Sequence, residues 1–234
     1  MANILSLCQD AATEVKLSIP EAVVGISNDK DAVLLARSLT KTCRQLQAYN
    51  WQRLTREKTF TTVAAETQTD TPLPLDFLRF VPNTVYNRDK RERVFGPLTS
   101  DEWQATKAVA TVSSYDQFRL RGGSWLMTPT PTAGQTIAYE YITSYLGTDV
   151  TGATPRAAFT ADTDLTYFDD ELMVLGIAMN VLDIDGNDYA EKSYQYQARL
   201  QKMLLEDSGH RILTSRTAER IPGPPRVPDF VSYS

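Results

Sequence analysis

The sequence predicts an α+β fold, in which a helical bundle carries an inserted antiparallel β domain and an extended C-terminal arm. Apolar residues recur at helical spacing near both ends of the 234-residue chain and alternate with polar residues between them. Prolines are concentrated in the last stretch, where they prevent helix formation. We assign the bundle to residues 1–57 and 165–213, the β domain to 58–146, an exposed loop to 147–164 and the arm to 214–234.

The composition allows a sizeable core and disfavours stable binding to nucleic acid. Hydrophobic residues make up 42% of the chain, and 29 acidic against 24 basic residues give a net charge of −5. An acidic chain is repelled by a phosphate backbone. No apolar run approaches the ~18 residues of a membrane span, and the N-terminus lacks a secretory pattern. We therefore expect a soluble protein made in the cytoplasm, with no membrane partner.

Two helices are predicted before the β domain. The apolar positions of the first are Ile4, Cys8, Ala11 and Val15, and those of the second are Leu35, Leu39, Cys43 and Leu46. Pro20 closes the first segment, and Ser27 or Asn28 can cap the second. Cys8 and Cys43 both occupy apolar helix positions, which favours buried free thiols over a disulfide.

The β domain begins at Lys58, where β-branched and aromatic residues become frequent. The candidate strands are 59–63, 77–81, 85–86, 117–120, 124–127 and 135–145. Gly122 and Gly123 supply the positive φ angles of a tight hairpin between two of them. Thr99 and Glu102 form a capping box, which predicts a short helix near residues 100–108.

A helical hairpin turning at Gly186 is predicted after the loop, because glycine readily adopts the left-handed conformation that ends a helix. Its apolar positions are Phe168, Leu172, Leu175, Met179 and Leu182 before the turn, and Tyr189, Ser193, Tyr196, Leu200 and Met203 after it. We expect two cores. The helical core contains Leu39, Leu46, Leu172, Leu175, Met179, Tyr196 and Leu200, and the β core contains Phe77, Leu120, Trp125, Tyr139 and Tyr141.

No catalytic, cofactor or metal site is predicted. His210 is the only histidine, and its place beside Gly209 at a predicted helix end disfavours nucleophilic hydrolysis. Residues 183–188 resemble a calcium loop, but the glycine falls one place early, and Tyr194 stands where a bidentate glutamate is required. We interpret this segment as a polar connection between helices.

Other polar and aromatic groups also favour structural roles. Asp169, Asp170 and Glu171 could pair for glycoside hydrolysis, yet acids in a first helical turn are stabilised by the helix dipole. Gly122 and Gly123 lack the flanking pattern of a phosphate loop. The basic residues 88–93 are interspersed with acids, which favours a solvated turn over a surface for an anionic partner. The expected core anchors are Trp51, Trp103 and Trp125.

The arm is the predicted partner-binding segment. Its prolines remove backbone donors and fix φ, so that it cannot build its own hydrogen-bonded ladder, while its apolar side chains remain available to a partner. The candidate residues are Ile221, Pro222, Pro224, Pro225, Arg226, Pro228, Phe230, Val231 and Tyr233.

Several blocks, taken in order, resemble the head-to-tail adaptor proteins of tailed bacteriophages. They have structural meanings of their own, such as a proline-pinned strand entry or a turn before an alternating strand. The blocks are Tyr49-Asn50-Trp51-Gln52-Arg53-Leu54, Leu73-Pro74-Leu75-Asp76-Phe77-Leu78-Arg79-Phe80, Gly96-Pro97-Leu98-Thr99, Pro129-Thr130-Pro131-Thr132-Ala133-Gly134-Gln135-Thr136, Asp169-Asp170-Glu171-Leu172 and Gly186-Asn187-Asp188-Tyr189-Ala190.

This resemblance implies a non-enzymatic structural virion protein at the head–tail junction. It implies a ring of about twelve copies, in which each copy contacts its neighbours, the portal protein and a downstream tail or nozzle protein. DNA would pass through such a ring without tight binding. Two alternatives stay open: a virion-associated peptidoglycan hydrolase, and a baseplate or fibre-attachment protein.

Overall fold

The computed structural model describes residues 2–69, 72–109 and 114–207. Within these ranges it contains five α-helices and eleven β-strands, and the paired strands are antiparallel. The α+β class predicted from the sequence is therefore confirmed for this part of the chain. The arm at 214–234 and His210 lie outside the described residues. None of the described helices is long and apolar enough to span a membrane.

Four of the five helices form a bundle centred on one of them. The helices are α1 (Ile4–Val15), α2 (Lys30–Leu46), α3 (Ser100–Ala108), α4 (Asp170–Asp185) and α5 (Ala190–Asp207). Helix α4 packs against α1, α2 and α5. Asp29 caps α2, so the prediction that Ser27 or Asn28 caps this helix is wrong. The Asp29 carboxylate accepts hydrogen bonds from the amides of Asp31 and Ala32, and a negative charge is favoured at a helix N-terminus.

Helix α4 is buried on several sides rather than along one stripe. Leu172 is buried as predicted, whereas Leu175 and Met179 are only partly buried at the edge of the core. The helix contacts three neighbours, so its buried residues cannot follow a single helical stripe. The fully buried apolar side chains of α4 include Leu172, Met173, Ile177 and Val181. The other predicted residues of the helical core are buried: Leu39, Leu46, Tyr196 and Leu200.

The strands form three small sheets. They are β1 (Thr55–Thr61), β2 (Thr67–Gln68), β3 (Phe77–Phe80), β4 (Tyr86–Asn87), β5 (Glu92–Arg93), β6 (Gln117–Arg121), β7 (Ser124–Thr128), β8 (Thr136–Thr143), β9 (Gly147–Thr148), β10 (Pro155–Arg156) and β11 (Leu165–Thr166). The largest sheet has the order β1-β8-β4-β5, with β3 also paired to β8. The other two sheets have the orders β2-β7-β6 and β10-β9-β11.

Strand β8 belongs to both hydrophobic cores. Its alternate residues Ile137, Tyr139 and Tyr141 are buried in the β core, while Ile142 on the opposite face is buried in the helical core. The face of β8 opposite Ile137, Tyr139 and Tyr141 is therefore only partly exposed, because the helical core covers its end. Trp125, Tyr139 and Tyr141 are buried as predicted, and Phe77 and Leu120 are partly buried at the margin of the β core.

Residues 147–164, for which we expected a loop, contain strands β9 and β10 and connect to the bundle through two aspartates. Asp164 is 1% exposed, and its backbone carbonyl accepts a hydrogen bond from the Ile4 amide at 3.0 Å. The Asp162 carboxylate accepts hydrogen bonds from the amides of Val23 and Val24, at 3.0 and 2.9 Å. Most other side chains of residues 147–164 are exposed. The segment thus holds the connection between α1 and α2 in place.

Candidate interaction surfaces

The acids at the start of α4 are occupied by structural contacts: Asp170 accepts a hydrogen bond from the Ala2 amide at 2.9 Å, and the other two serve helix capping and one arginine. Asp169 caps α4 through the Leu172 amide at 3.0 Å and accepts two hydrogen bonds, each of 2.9 Å, from the guanidinium of Arg199 on α5. Glu171 pairs with the same guanidinium at 2.9 Å. Burial alone would raise the pKa of Asp169, but its hydrogen bonds to Arg199 and Leu172 hold that pKa below its ordinary value. Asp169 therefore caps α4, in agreement with the predicted structural role of these acids, while the link to α5 through Arg199 is seen only in the structure.

The acidic segment 183–188 connects two helices, as predicted. Gly186 ends α4 in the left-handed conformation, with φ of 71°. Asp183 pairs with Lys41 of α2 at 3.3 Å, and Asp188 accepts a hydrogen bond from the Ala190 amide at 2.9 Å. The two carboxylates thus serve separate structural contacts. In the described ranges, no group of three or more His, Cys, Asp or Glu side chains could hold a metal ion.

The basic residues 88–93 form a largely exposed hairpin whose cations mostly contact polar side chains of the β domain. Arg88 pairs with Glu57, and Lys90 pairs with Asp116 at 2.9 Å. The Asp116 side chain is only 4% exposed, so Lys90 neutralises a buried charge. Arg93 donates to Asn83. These contacts agree with the predicted solvated turn and leave few cations for an anionic partner.

The tryptophans and cysteines are buried, as predicted. Trp125 stacks on Phe118 with ring centroids 4.4 Å apart, and Trp51 donates from its indole to the Leu46 carbonyl at 2.8 Å. Trp103, the buried residue of α3, is 2% exposed. The predicted capping box of this helix is present. Cys8 and Cys43 are free and buried, and burial raises the pKa of both thiols.

The predicted hairpin at Gly122 and Gly123 is also confirmed. The two glycines have φ of 56° and 78°, and they join the paired strands β6 and β7. The turn places both backbones in the left-handed region, where other residues are strained. Its geometry accounts for both glycines without any bound phosphate.

A groove runs along the outer side of α2. Its first part, about 790 Å³, lies between α2 and residues 23–26. Its second part, about 570 Å³, lies between the end of α2, strand β3 and the chain that follows β8. The two parts adjoin at Arg44, which lines both. We call this feature the α2 groove.

The lining of the α2 groove combines aliphatic side chains with cations. Val23, Ile26, Val33 and Ala36 line the first part, and Leu78 and Leu146 line the second. The cations are Arg37, Lys41 and Arg44 of α2 and Arg79 of β3. No carboxylate of a described residue lines either part.

Arg79 connects the β domain to the end of α2. One of its terminal nitrogens donates to the carbonyls of Gln47, Ala48 and Tyr49, at 3.1, 2.9 and 2.8 Å. The other donates to the side chain of Asn50. These carbonyls belong to the turn that follows the last residue of α2, Leu46. Arg79 therefore holds this turn from a neighbouring strand.

Asp76 anchors the entry to β3 against β8. Its carboxylate accepts hydrogen bonds from the hydroxyls of Tyr141, at 3.0 Å, and Thr143, at 2.7 Å. Burial, followed by the hydrogen bond with Asp76, raises the pKa of Tyr141 to about 12. The neighbouring Tyr139 hydroxyl donates to the Pro72 carbonyl. These contacts fix the chain before β3 in the position from which Arg79 reaches α2.

The hydrogen bonds of Arg79 to Tyr49 and Asn50 bring together two of the blocks that carry the family resemblance, residues 49–54 and residues 73–80. A family model described as SU10 adaptor protein matches residues 2–226. The chain belongs to this family. The resemblance to phage head-to-tail adaptors is thereby confirmed, and the protein is a phage structural adaptor protein. A comparison with curated proteins finds no match.

Two features of the adaptor were missed by sequence reasoning: the α2 groove, and the contacts of Arg79 with the end of α2. The spacing of Arg37, Lys41 and Arg44 was available as a signal, because steps of four and three place them on one side of a helix. Arg79 lies inside a block used for the resemblance, yet nothing local indicates its partners. The partner-binding residues predicted in the arm lie outside the described residues.

Proposed function

We propose that this adaptor forms a ring at the head–tail junction of a phage particle and joins the portal to the next tail or nozzle protein. Membership of the SU10 adaptor protein family over residues 2–226 carries the proposal. In such a ring each copy offers one surface to one neighbour and a different surface to the other. We expect about twelve copies, in keeping with a closed cyclic assembly.

The internal connections of the subunit support this role. Arg79 ties the β domain to the end of α2, Asp76 fixes the entry to β3 against β8, and Arg199 ties α5 to the start of α4. Arg79, together with strand β8, whose residues lie in both hydrophobic cores, keeps the two cores in one relative position. A connector between two large assemblies needs a subunit that transmits force without deforming.

The proposal is tested by mixing purified adaptor with the portal protein of the same phage and imaging the complex by cryo-electron microscopy. We expect adaptor density as a ring on one face of the portal, with the rotational symmetry of the portal. Failure to bind portal, together with labelling of the adaptor at the baseplate or fibres of the particle, would support the fibre-attachment alternative instead.

We propose that the arm at residues 214–234 strengthens attachment to the portal or to a neighbouring copy. Two aromatic anchors, Phe230 and Tyr233, could each bury ~150–250 Å² and together contribute several kcal/mol at ~25 cal/mol per Å², before ordering costs. A chain stopped after Leu213 should therefore melt like the full chain but dock to portal rings more weakly. Unchanged docking would remove the arm from the proposal.

We also propose that the adaptor is not an enzyme and that DNA crosses the ring without tight binding. Of the three acids nearest to a hydrolase pattern, Asp169 caps α4 and pairs with Arg199, Glu171 pairs with Arg199, and Asp170 accepts a hydrogen bond from the Ala2 amide. Cell-wall turnover in a zymogram that is lost on Asp170→Asn or Glu171→Gln would establish the hydrolase alternative. For DNA, the net charge of −5 leads us to expect a dissociation constant weaker than about 1 μM at physiological salt.

A further inference from the structure

We propose that the α2 groove binds an acidic amphipathic segment of a protein partner. The proposal rests on the adaptor function only in taking that partner to be another virion protein. The recognition chemistry follows from the groove itself, which offers an aliphatic floor, a row of cations and a length suited to a peptide.

The aliphatic side chains would bind the apolar face of the segment. Val33 and Ala36 of α2 lie opposite Val23 and Ile26, and Ile26 is 38% exposed. Residues 23–26, which carry Val23 and Ile26, are held in place by the Asp162 carboxylate, which accepts hydrogen bonds from the amides of Val23 and Val24. A pre-formed apolar groove lowers the ordering cost that a partner must overcome.

The cations would bind the acidic face. Arg37 and Arg44 are exposed and form no ion pair with any described residue. Lys41 lies between them and pairs with Asp183, the one carboxylate of a described residue that reaches this row. Three cations on one side of a helix, offset by a single acid, attract a segment that carries several carboxylates.

The dimensions of the groove suit a peptide segment. From Val33 to Gln47 the groove follows α2 for fourteen residue steps, or about 21 Å at 1.5 Å per residue. That length corresponds to about four helical turns of a partner, the usual reach of a helix bound in a groove.

The chain's own C-terminal segment is a poor match for the groove by charge. Residues 208–234 carry four arginines against one glutamate and one aspartate. A basic segment is repelled by the row of Arg37, Lys41 and Arg44. Duplex DNA matches the cations, but its phosphate backbone offers little to the aliphatic floor beside them. A protein segment with an acidic and an apolar face uses both features of the groove.

The test uses the full chain and a fluorescent synthetic peptide of about 15 residues, with leucines along one helical face and glutamates elsewhere. The competitors are the same peptide with lysines for glutamates, the same peptide with serines for leucines, a peptide of residues 214–234 and a short DNA duplex. The groove variant is Arg37→Glu with Arg44→Glu. The matched control is Arg91→Glu with Arg121→Glu, which changes the net charge equally at exposed arginines away from the groove.

We expect the acidic peptide to bind the wild-type chain and the control variant alike, and the groove variant at least about tenfold more weakly. Replacement of the leucines should weaken binding by a similar factor. The proposal is overturned if the acidic peptide does not bind, or if the control variant loses as much affinity as the groove variant. Tighter binding of the duplex or of the arm peptide at the same arginines would also overturn it.

Failure of this inference is distinguishable from failure of the proposed function. Peptide binding is measured on the purified adaptor and needs no portal, whereas ring formation is measured on the portal complex. A groove that binds the peptide while the portal complex lacks a ring would contradict the adaptor ring alone. A normal ring with no peptide binding would contradict the groove alone.

Discussion

Replacing Gly176 with alanine should destabilise the protein, although alanine is the better helix former. Gly176 is buried in the interior of α4, where glycine costs about 1 kcal/mol relative to alanine. A Cβ at this position would overlap the Thr42 methyl group of α2 and lie 3.0 Å from a ring carbon of Tyr196 on α5. Glycine therefore permits the close approach of three helices.

The size of the effect follows from what Thr42 would have to give up. Its hydroxyl donates to the Ser38 carbonyl at 2.8 Å and accepts from the Asn180 amide at 2.9 Å, so the side chain cannot simply turn away. Overpacking a core costs about 1–3 kcal/mol, which exceeds the gain in helix propensity of about 1 kcal/mol. The middle of these ranges leaves a net loss of about 1 kcal/mol in the free energy of unfolding, with an upper bound of about 2 kcal/mol, or roughly 2–8 °C in Tm.

The assay is denaturant unfolding followed by circular dichroism, in a double-mutant cycle with Thr42→Ser. Serine keeps both hydrogen bonds and removes the methyl group that the new Cβ would meet. In the Thr42→Ser background, Gly176→Ala should be neutral or should stabilise the protein by up to about 1 kcal/mol. Equal destabilisation in both backgrounds, or stabilisation in the wild-type background, would refute the close-approach argument.

Three further predictions concern the helical core. Leu172→Ala should lower the free energy of unfolding by about 2–5 kcal/mol, and Leu175→Ala by clearly less, because only Leu172 is fully buried; equal losses in urea melts would contradict the burial difference. The pKa of Asp169 is lower in the folded protein than its ordinary value of 3.8, so the ionised carboxylate stabilises the fold at pH values above 3.8. This stability is lost as the pH falls through the lower pKa of the folded state. Asp169→Asn should therefore flatten the pH dependence of unfolding below about pH 4, and an unchanged acid profile would contradict this. Cys8, whose pKa burial raises to about 12, and buried Cys43 should react with a thiol reagent at neutral pH only as fast as the protein unfolds.

Features set by neighbouring residues could be predicted from the sequence. The capping box at Thr99 and Glu102, the hairpin at Gly122 and the turn at Gly186 each depend on contacts within a few residues. The buried face of α2 was also predicted correctly. That helix has one buried side, so its stripe of apolar residues matches the helical period.

Predictions were weaker where one element meets several others. Helix α4 contacts three helices, and an apolar stripe could not distinguish its buried positions from Leu175 and Met179 at the edge. Residues 147–164 have few large apolar side chains, so their short strands gave no periodic signal. Those strands are stabilised by backbone pairing and by Asp162 and Asp164, whose partners are distant in sequence.

The sequence by itself determined the α+β class, the family and the residues that cap helices or turn hairpins, because local hydrogen bonds and apolar periodicity are visible in neighbouring letters. Only the tertiary structure decided that Arg79 binds the turn after α2, including the carbonyl of Ala48, 31 positions earlier in the sequence. It also decided that Arg37 and Arg44 border an aliphatic groove. Both outcomes depend on where β3 and residues 23–26 come to rest against α2. That placement results from packing of the whole chain, which no single segment encodes.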